Sequence, residues 1–145
     1  MAVYVKYQIG TEVLLEASNA GTDTWQLILS NTAPVVATDT TAASATELGT
    51  AGGYTAGGVN CTITSSTQAA GVYKLILLAP ASPTWTASAG GFTFRYVILY
   101  NLTRTQCIGY WDYGVAVAMN GTNGDTFTPT PVSYTHLTLP TICSV

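Results

Sequence analysis

Apolar and polar residues alternate with a period of two along most of the chain, the spacing that sends successive side chains to opposite faces of a strand. Trp25 to Ser30 sets Trp, Leu, Leu against Gln, Ile, Ser and predicts a half-buried strand. Asn31-Thr-Ala-Pro34 ends it, because proline cannot donate to a ladder. Val35 to Thr46 is Thr/Ala/Ser with one acid and predicts a surface excursion. Val59 to Ser65 and Val72 to Leu78 predict two further strands around a polar turn at Gln68 to Gly71, and Trp85 to Ser88 a short one bounded by Pro83 and Gly90-Gly91. At the N-terminus Val3 to Tyr7 alternates like a strand, and Thr11 to Ala17 suits a short helix capped by Thr11.

Phe92 to Tyr100 carries the strongest strand pattern. Phe92, Phe94, Tyr96, Ile98 and Tyr100 fall on one face, with Thr93, Arg95, Val97 and Leu99 on the other. Both faces are largely apolar, which predicts a central strand buried on both sides. Arg95 on such a strand needs a partner, since an unpaired buried guanidinium is costly. A turn at Thr103-Arg104 would bring Cys107 to Tyr113 back antiparallel, with Tyr100 opposite Cys107, Val97 opposite Tyr110 and Arg95 opposite Asp112. Opposed residues share a face, so this register predicts an Arg95–Asp112 pair. Val115 to Met119 and Asp125 to Thr128 would form a last hairpin around Asn120 to Gly124. Many short strands with frequent turns predict one all-β domain over residues 1–131, an antiparallel two-sheet sandwich or jelly roll with at most one short N-terminal helix.

The 145 residues suffice for one domain. Only 8% are charged, and the net charge is −3. Thr, Ala, Gly and Ser stand where a soluble enzyme carries Lys and Glu, a surface that suits packing against copies of itself or a partner. Lys6, Lys74, Arg95 and Arg104 cannot neutralise a run of phosphates, so no nucleic-acid partner is expected. No apolar run reaches the length of a membrane span, and the first residues lack a signal-peptide pattern. Cys61 and Cys107 lie on strand-like stretches without metal-ligand spacing and are read as small buried hydrophobes. Sequons at Asn60, Asn101 and Asn120 are read as chance in so Thr-rich a chain.

Residues 49–58 hold five glycines. A phosphate-binding loop needs Gly-Lys-Ser/Thr entering a helix, whereas Gly57-Gly58 is followed by Val-Asn-Cys. The glycines instead predict positive φ and close backbone approach, and Gly52, Gly53, Tyr54, Gly57 and Gly58 are candidate contact residues, with Asn120 and Asn123 of the later loop. Asp125 beside those asparagines resembles a calcium loop, but one acid supplies too little charge. Asp112 among Tyr110, Trp111 and Tyr113 resembles a sugar-binding strip, and core packing with a structural Asp112 is the preferred reading.

A Ser–His–Asp, Cys–His or zinc arrangement would have to use His136, the only histidine, in the final stretch PVSYTHLTLPTICSV, which also holds Cys143. Val132 to Leu139 passes for a strand. Val132 to Thr141, however, resembles a translated transposase-type sequencing adapter, GTC TCT TAT ACA CAT CTG ACG CTG CCG ACG, without a mismatch. A short index accounts for Ile142 to Ser144, and the continuation GTG TAG for Val145 and a stop. Residues 132–145 are therefore read as a non-native tail, and order beyond Pro131 is expected to carry no biological meaning. Without the tail there is no histidine, and no enzyme, metal or other cofactor is expected.

Asn31-Thr-Ala-Pro-Val35, Glu47 to Gly58, Phe94-Arg-Tyr-Val-Ile-Leu-Tyr-Asn101 and Ile108-Gly-Tyr-Trp-Asp-Tyr-Gly114 together resemble a family of small virion structural proteins of tailed bacteriophages. The resemblance covers most of residues 22–128. It implies a non-enzymatic protein of the virion, assembled in the bacterial host cytoplasm: first a capsid decoration (cement) protein, a homotrimer on the major capsid protein lattice, with a tail-associated or adhesive fibre protein bound to tail proteins as the alternative.

Overall fold

The structure, a computed structural model, describes residues 3–13, 19–69, 72–78, 85–129 and 134–135. The elements are β1 (Val3–Lys6), α1 (Gln8–Glu12), β2 (Trp25–Ser30), β3 (Val59–Ala69), β4 (Val72–Leu78), β5 (Trp85–Thr86), β6 (Phe92–Asn101), β7 (Gln106–Met119), β8 (Thr126–Phe127) and β9 (Tyr134–Thr135). Seven strands form one antiparallel sheet in the order β1-β7-β6-β2-β3-β4-β9, and β5 pairs with β8 in a small second sheet. The fold is all-β with one short helix. β3 pairs with β2 only through Val59 to Cys61, then with β4 from Thr62 to Ala69, with a bulge between Ile63 and Ser65. Changing partners along one strand, with a bulge that adds twist, curls the sheet.

The two faces of the large sheet are covered differently. On one, Trp25, Leu27, Leu29, Phe94, Val97 and Leu99 build the main core together with Trp85 of the small sheet. On the other, Ile28, Ile98, Tyr100 and Cys107 pack with Tyr7 and Ala45. Each of the Leu, Ile, Val and Phe side chains contributes about 1.5–3 kcal/mol when fully buried. β2 is consequently buried on both faces rather than half-buried. Its cover is the stretch from Val35 to Thr46, predicted as a surface excursion. Val36 and Ala42 pack on the second core, Cys107 N–H donates to the Thr40 carbonyl (2.7 Å), and Ser30 Oγ donates to the Thr46 carbonyl (2.7 Å). Small Ala and Thr side chains let a strandless segment lie flat on the sheet, and the curled large sheet with the small second one is consistent with the predicted all-β sandwich.

β6 is the central strand that its pattern predicts, between β2 and β7 and buried from Tyr96 to Asn101. Its face assignment is corrected at Arg95. A bulge between Phe94 and Tyr96 reverses the alternation, so Phe94, Val97 and Leu99 share the main core while Ile98 and Tyr100 face the other. The β6–β7 register begins as predicted, with Tyr100 opposite Cys107, then slips by one where Ile108 bulges out between Cys107 and Gly109. Tyr110 lies opposite Ile98 instead of Val97, and Asp112 opposite Tyr96 instead of Arg95.

The predicted last hairpin does not form. Residues 115–119 are the end of β7, where Val117 to Met119 pair with Phe92 to Phe94, and Thr126–Phe127 pairs with β5. Aromatic packing draws β8 away, since Phe127 stacks on Trp85 at 5.9 Å and lies 4.5 Å from Phe94. The N-terminal helix runs from Gln8 to Glu12, so Thr11 lies within it rather than at its cap, and Tyr7 at the N-cap makes no side-chain cap bond. Leu14 to Ala17 of the predicted helix, part of the Gln68–Gly71 turn, His136 and Cys143 lie outside the described residues.

Candidate functional site

Three loops meet at the small sheet: the glycine-rich segment 49–58, the turn 87–91, and the loop 120–125. Ser88 N–H donates to the Gly52 carbonyl (2.8 Å), Ala87 N–H to the Asp125 carbonyl (2.8 Å), and Gly91 N–H to the Ser88 carbonyl (2.8 Å). The loops pack backbone against backbone. Gly52 and Gly91 take φ of +59° and +62°, and a Cβ on Gly52 would overlap the Gly91 carbonyl. A Cβ on Gly91 would overlap the Met119 carbonyl. Glycine is needed at these two positions for both conformation and space.

Asp125 and Asn120 hold the third loop closed. Asp125 Oδ2 accepts the Asn120 N–H (2.9 Å), and Asn120 Oδ1 accepts the Thr122 N–H (2.8 Å). The only acid of that loop is thus occupied as a turn brace. Around it Ala51, Ser88, Ala89, Thr122 and Asn123 are exposed and uncharged. The result is an internally hydrogen-bonded surface whose loop carboxylate, Asp125, is tied into its own turn.

Not every predicted contact residue lies on it. Tyr54 is 1% exposed, held between Trp85 and Phe92 with ring centroids at 6.0 Å from each. Its hydroxyl donates to Glu47 Oε1 (2.6 Å) and accepts the Leu29 N–H (3.1 Å), while Glu47 Oε1 also accepts the Gly57 N–H (2.6 Å). Burial, then the bond to Glu47, pushes the phenol well above its usual range. Tyr54 therefore anchors the glycine loop from beneath and cannot touch a partner. Gly58 is half-buried, its α-carbon close to the Leu27 carbonyl, whereas Gly53 is exposed although a Cβ there would meet the Thr86 carbonyl. Gly57, Asn120 and Asn123 are exposed.

Arg95 and Asp112 do meet, by a different route from the predicted one. Arg95 Nε and Nη2 donate to Asp112 Oδ1 and Oδ2 at 2.8 and 2.9 Å, and Oδ1 also accepts the Gly114 N–H (2.7 Å). Arg95 is the single β6 residue between the Phe94–Val117 and Tyr96–Asp112 pairs, a span in which β7 has four residues. The fork clamps this bulge. The two side chains are 39% and 30% exposed, which corrects the expectation of a buried pair. The Arg95 guanidinium, then the Gly114 N–H, holds the Asp112 carboxyl below its ordinary range.

The 87–91 turn was detectable only as the Gly90-Gly91 doublet. A second feature has no local sequence signal. Asp23, 4% exposed at its side chain, accepts from Asn101 Nδ2 (2.9 Å), the Asn19 N–H (3.2 Å) and Arg104 Nε (3.4 Å). Thr103 Oγ1 accepts the Thr24 N–H (2.8 Å) beside it. Together these tie the β6–β7 turn to the entrance of β2, and Asn101, read from its sequon, is wholly buried.

Neither described thiol is activated. Burial pushes Cys61 up to about 12, and burial with nearby Asp39 and Glu47 pushes Cys107 to about 12, the reverse of what a nucleophile needs. Among the described residues no cluster of three His, Cys, Asp or Glu could hold a metal, and no helix is long and apolar enough to cross a membrane. Compared with protein-family models, curated proteins and solved structures, the chain matches none of them.

Proposed function

We propose that the protein is a non-enzymatic structural component of a bacteriophage virion, a capsid decoration protein on the head surface. The observation that carries this reading is the internally braced loop surface formed by segments 49–58, 87–91 and 120–125. A surface whose backbone is already ordered loses little entropy when it docks, which favours many identical contacts on a repeating lattice. Low charge supports the same reading, because few ionic groups have to be desolvated on contact.

Of the four stretches that resemble the virion family, Phe94 to Asn101 and Ile108 to Gly114 lie on β6 and β7, the central strand and its neighbour, while Glu47 to Gly58 contains the glycine-rich loop of the candidate surface and Asn31 to Val35 follows β2.

Mass spectrometry of separately purified heads and tails tests the proposal. Stoichiometric presence in heads is the expected result. Presence in tails alone would replace it with the tail-associated role.

A further inference from the structure

We infer that Asn123 is a site of spontaneous covalent modification, where the Gly124 amide nitrogen closes on the side-chain carboxamide and converts the residue to aspartate or isoaspartate. Asn-Gly occurs at Asn120-Gly121 and again at Asn123-Gly124, both within the loop 120–125. A glycine in second place leaves the attacking nitrogen unshielded by a Cβ. The two pairs are alike in sequence, and the fold sets them apart.

Asn120 is held. Its Oδ1 accepts the Thr122 N–H (2.8 Å), its own N–H donates to Asp125 Oδ2 (2.9 Å), and its carbonyl accepts the Asp125 N–H (3.2 Å). Gly121, which would attack it, lies so close to the 87–91 turn that a Cβ there would overlap the Ser88 carbonyl. Swinging the Asn120 carboxamide onto the Gly121 nitrogen breaks the bond to Thr122 and disturbs two loops packed backbone against backbone.

Asn123 is open to reaction. It is exposed, and its carboxamide bonds to no described residue. Gly124 is exposed as well, at φ +61°, with nothing within 4 Å of an added Cβ. Its N–H donates to the Gly121 carbonyl at 3.3 Å, a long bond that restrains the nitrogen weakly. The electrophile can rotate and the nucleophile is loosely held.

In the reaction the Gly124 nitrogen gives up its proton and bonds to Asn123 Cγ. The Cγ–Nδ2 bond breaks, and ammonia leaves with a proton. Water then opens either carbonyl of the resulting succinimide and releases a carboxylate. One ammonia is exchanged for one water with no oxidation or reduction. The product adds a negative charge to the net −3, two positions before Asp125. Opening toward isoaspartate also threads a methylene into the loop backbone. A charge on this loop must be desolvated when the surface docks. That consequence rests on the docking role proposed above, whereas the modification does not.

The test uses the free, folded full-length chain, so its outcome is independent of docking. After incubation in mildly alkaline buffer, peptide mapping with fragmentation locates the exchange of ammonia for water. Asn123 should react about tenfold or more faster than Asn120, the protection that ordered backbone gives over an open segment. In denaturant the two should react at similar rates. Asp125→Ala, which removes a brace from Asn120, should bring the Asn120 rate up toward its value in denaturant. If that variant does not fold, the wild-type comparison decides. Equal rates at the two sites in the folded chain, a faster Asn120, or the same contrast persisting in denaturant overturns the inference.

Discussion

Asp112 stands opposite Tyr96 in the β-ladder, yet its carboxylate grips the guanidinium of Arg95, one residue away along β6. The pair closes a bulge in which one residue of β6 faces four of β7. Water reaches both side chains, so their fork holds the bulge without carrying the fold's stability.

Asp112→Asn should accordingly lower the melting temperature only slightly at neutral pH. The folded-state pKa of Asp112 lies below its unfolded value of about 3.9. The stabilisation is therefore complete above that value and is lost as pH falls through the folded pKa. Melting curves of the wild type and Asp112→Asn should differ at neutral pH and converge under strongly acidic conditions. Curves that diverge further on acidification would contradict the assignment.

Gly52→Ala should destabilise the fold by about 1–3 kcal/mol or more, because the added Cβ meets the Gly91 carbonyl and φ is +59°. Gly49→Ala is the control, since its φ is ordinary and nothing lies within 4 Å of the added Cβ. It should be neutral or gain about 0.4–1 kcal/mol through a less flexible unfolded chain. Urea denaturation of the two variants measures the contrast.

Asp23→Ala should cost about 2–3 kcal/mol, because it removes the carboxylate that holds the buried Asn101 amide. Arg104→Ala should cost about 1 kcal/mol or less, since the Arg104 side chain is 39% exposed and its bond to Asp23 is 3.4 Å. Equal losses in equilibrium denaturation would show that the ion pair, and not the Asp–Asn bond, holds the β6–β7 turn.

Cys61 and Cys107 should resist alkylation in the folded protein at pH 8, where groups titrating at about 12 carry almost no thiolate. Both should react fully in denaturant. Mass spectrometry after iodoacetamide treatment reads the difference, and rapid labelling of native Cys107 would contradict its burial at 0% exposure.

Local pattern located β2, β4, β6 and the first half of β7, because alternation over six or more residues is set by burial along a single strand. The same pattern misassigned faces on β6, since a bulge at Arg95 changes the phase without altering residue types. It also proposed a hairpin from residues 115–128, where the aromatic stack of Phe127 on Trp85 and Phe94 prevails. Of the candidate site, Gly52 and Asn120 were visible as turn residues. Tyr54 looked identical in sequence to an exposed loop tyrosine, and only its neighbours show that it is an anchor.

The sequence by itself determined an all-β chain, a central apolar strand and glycine-dependent loops, because each is written in consecutive residues. Tertiary structure alone decided that loops 49–58, 87–91 and 120–125 form one surface, that Val35 to Thr46 covers the second core, and that Asp23 reaches Asn101. Those relations join residues tens of positions apart. They depend on where the strands pair, which bulges and aromatic packing shift by single residues that periodicity does not register.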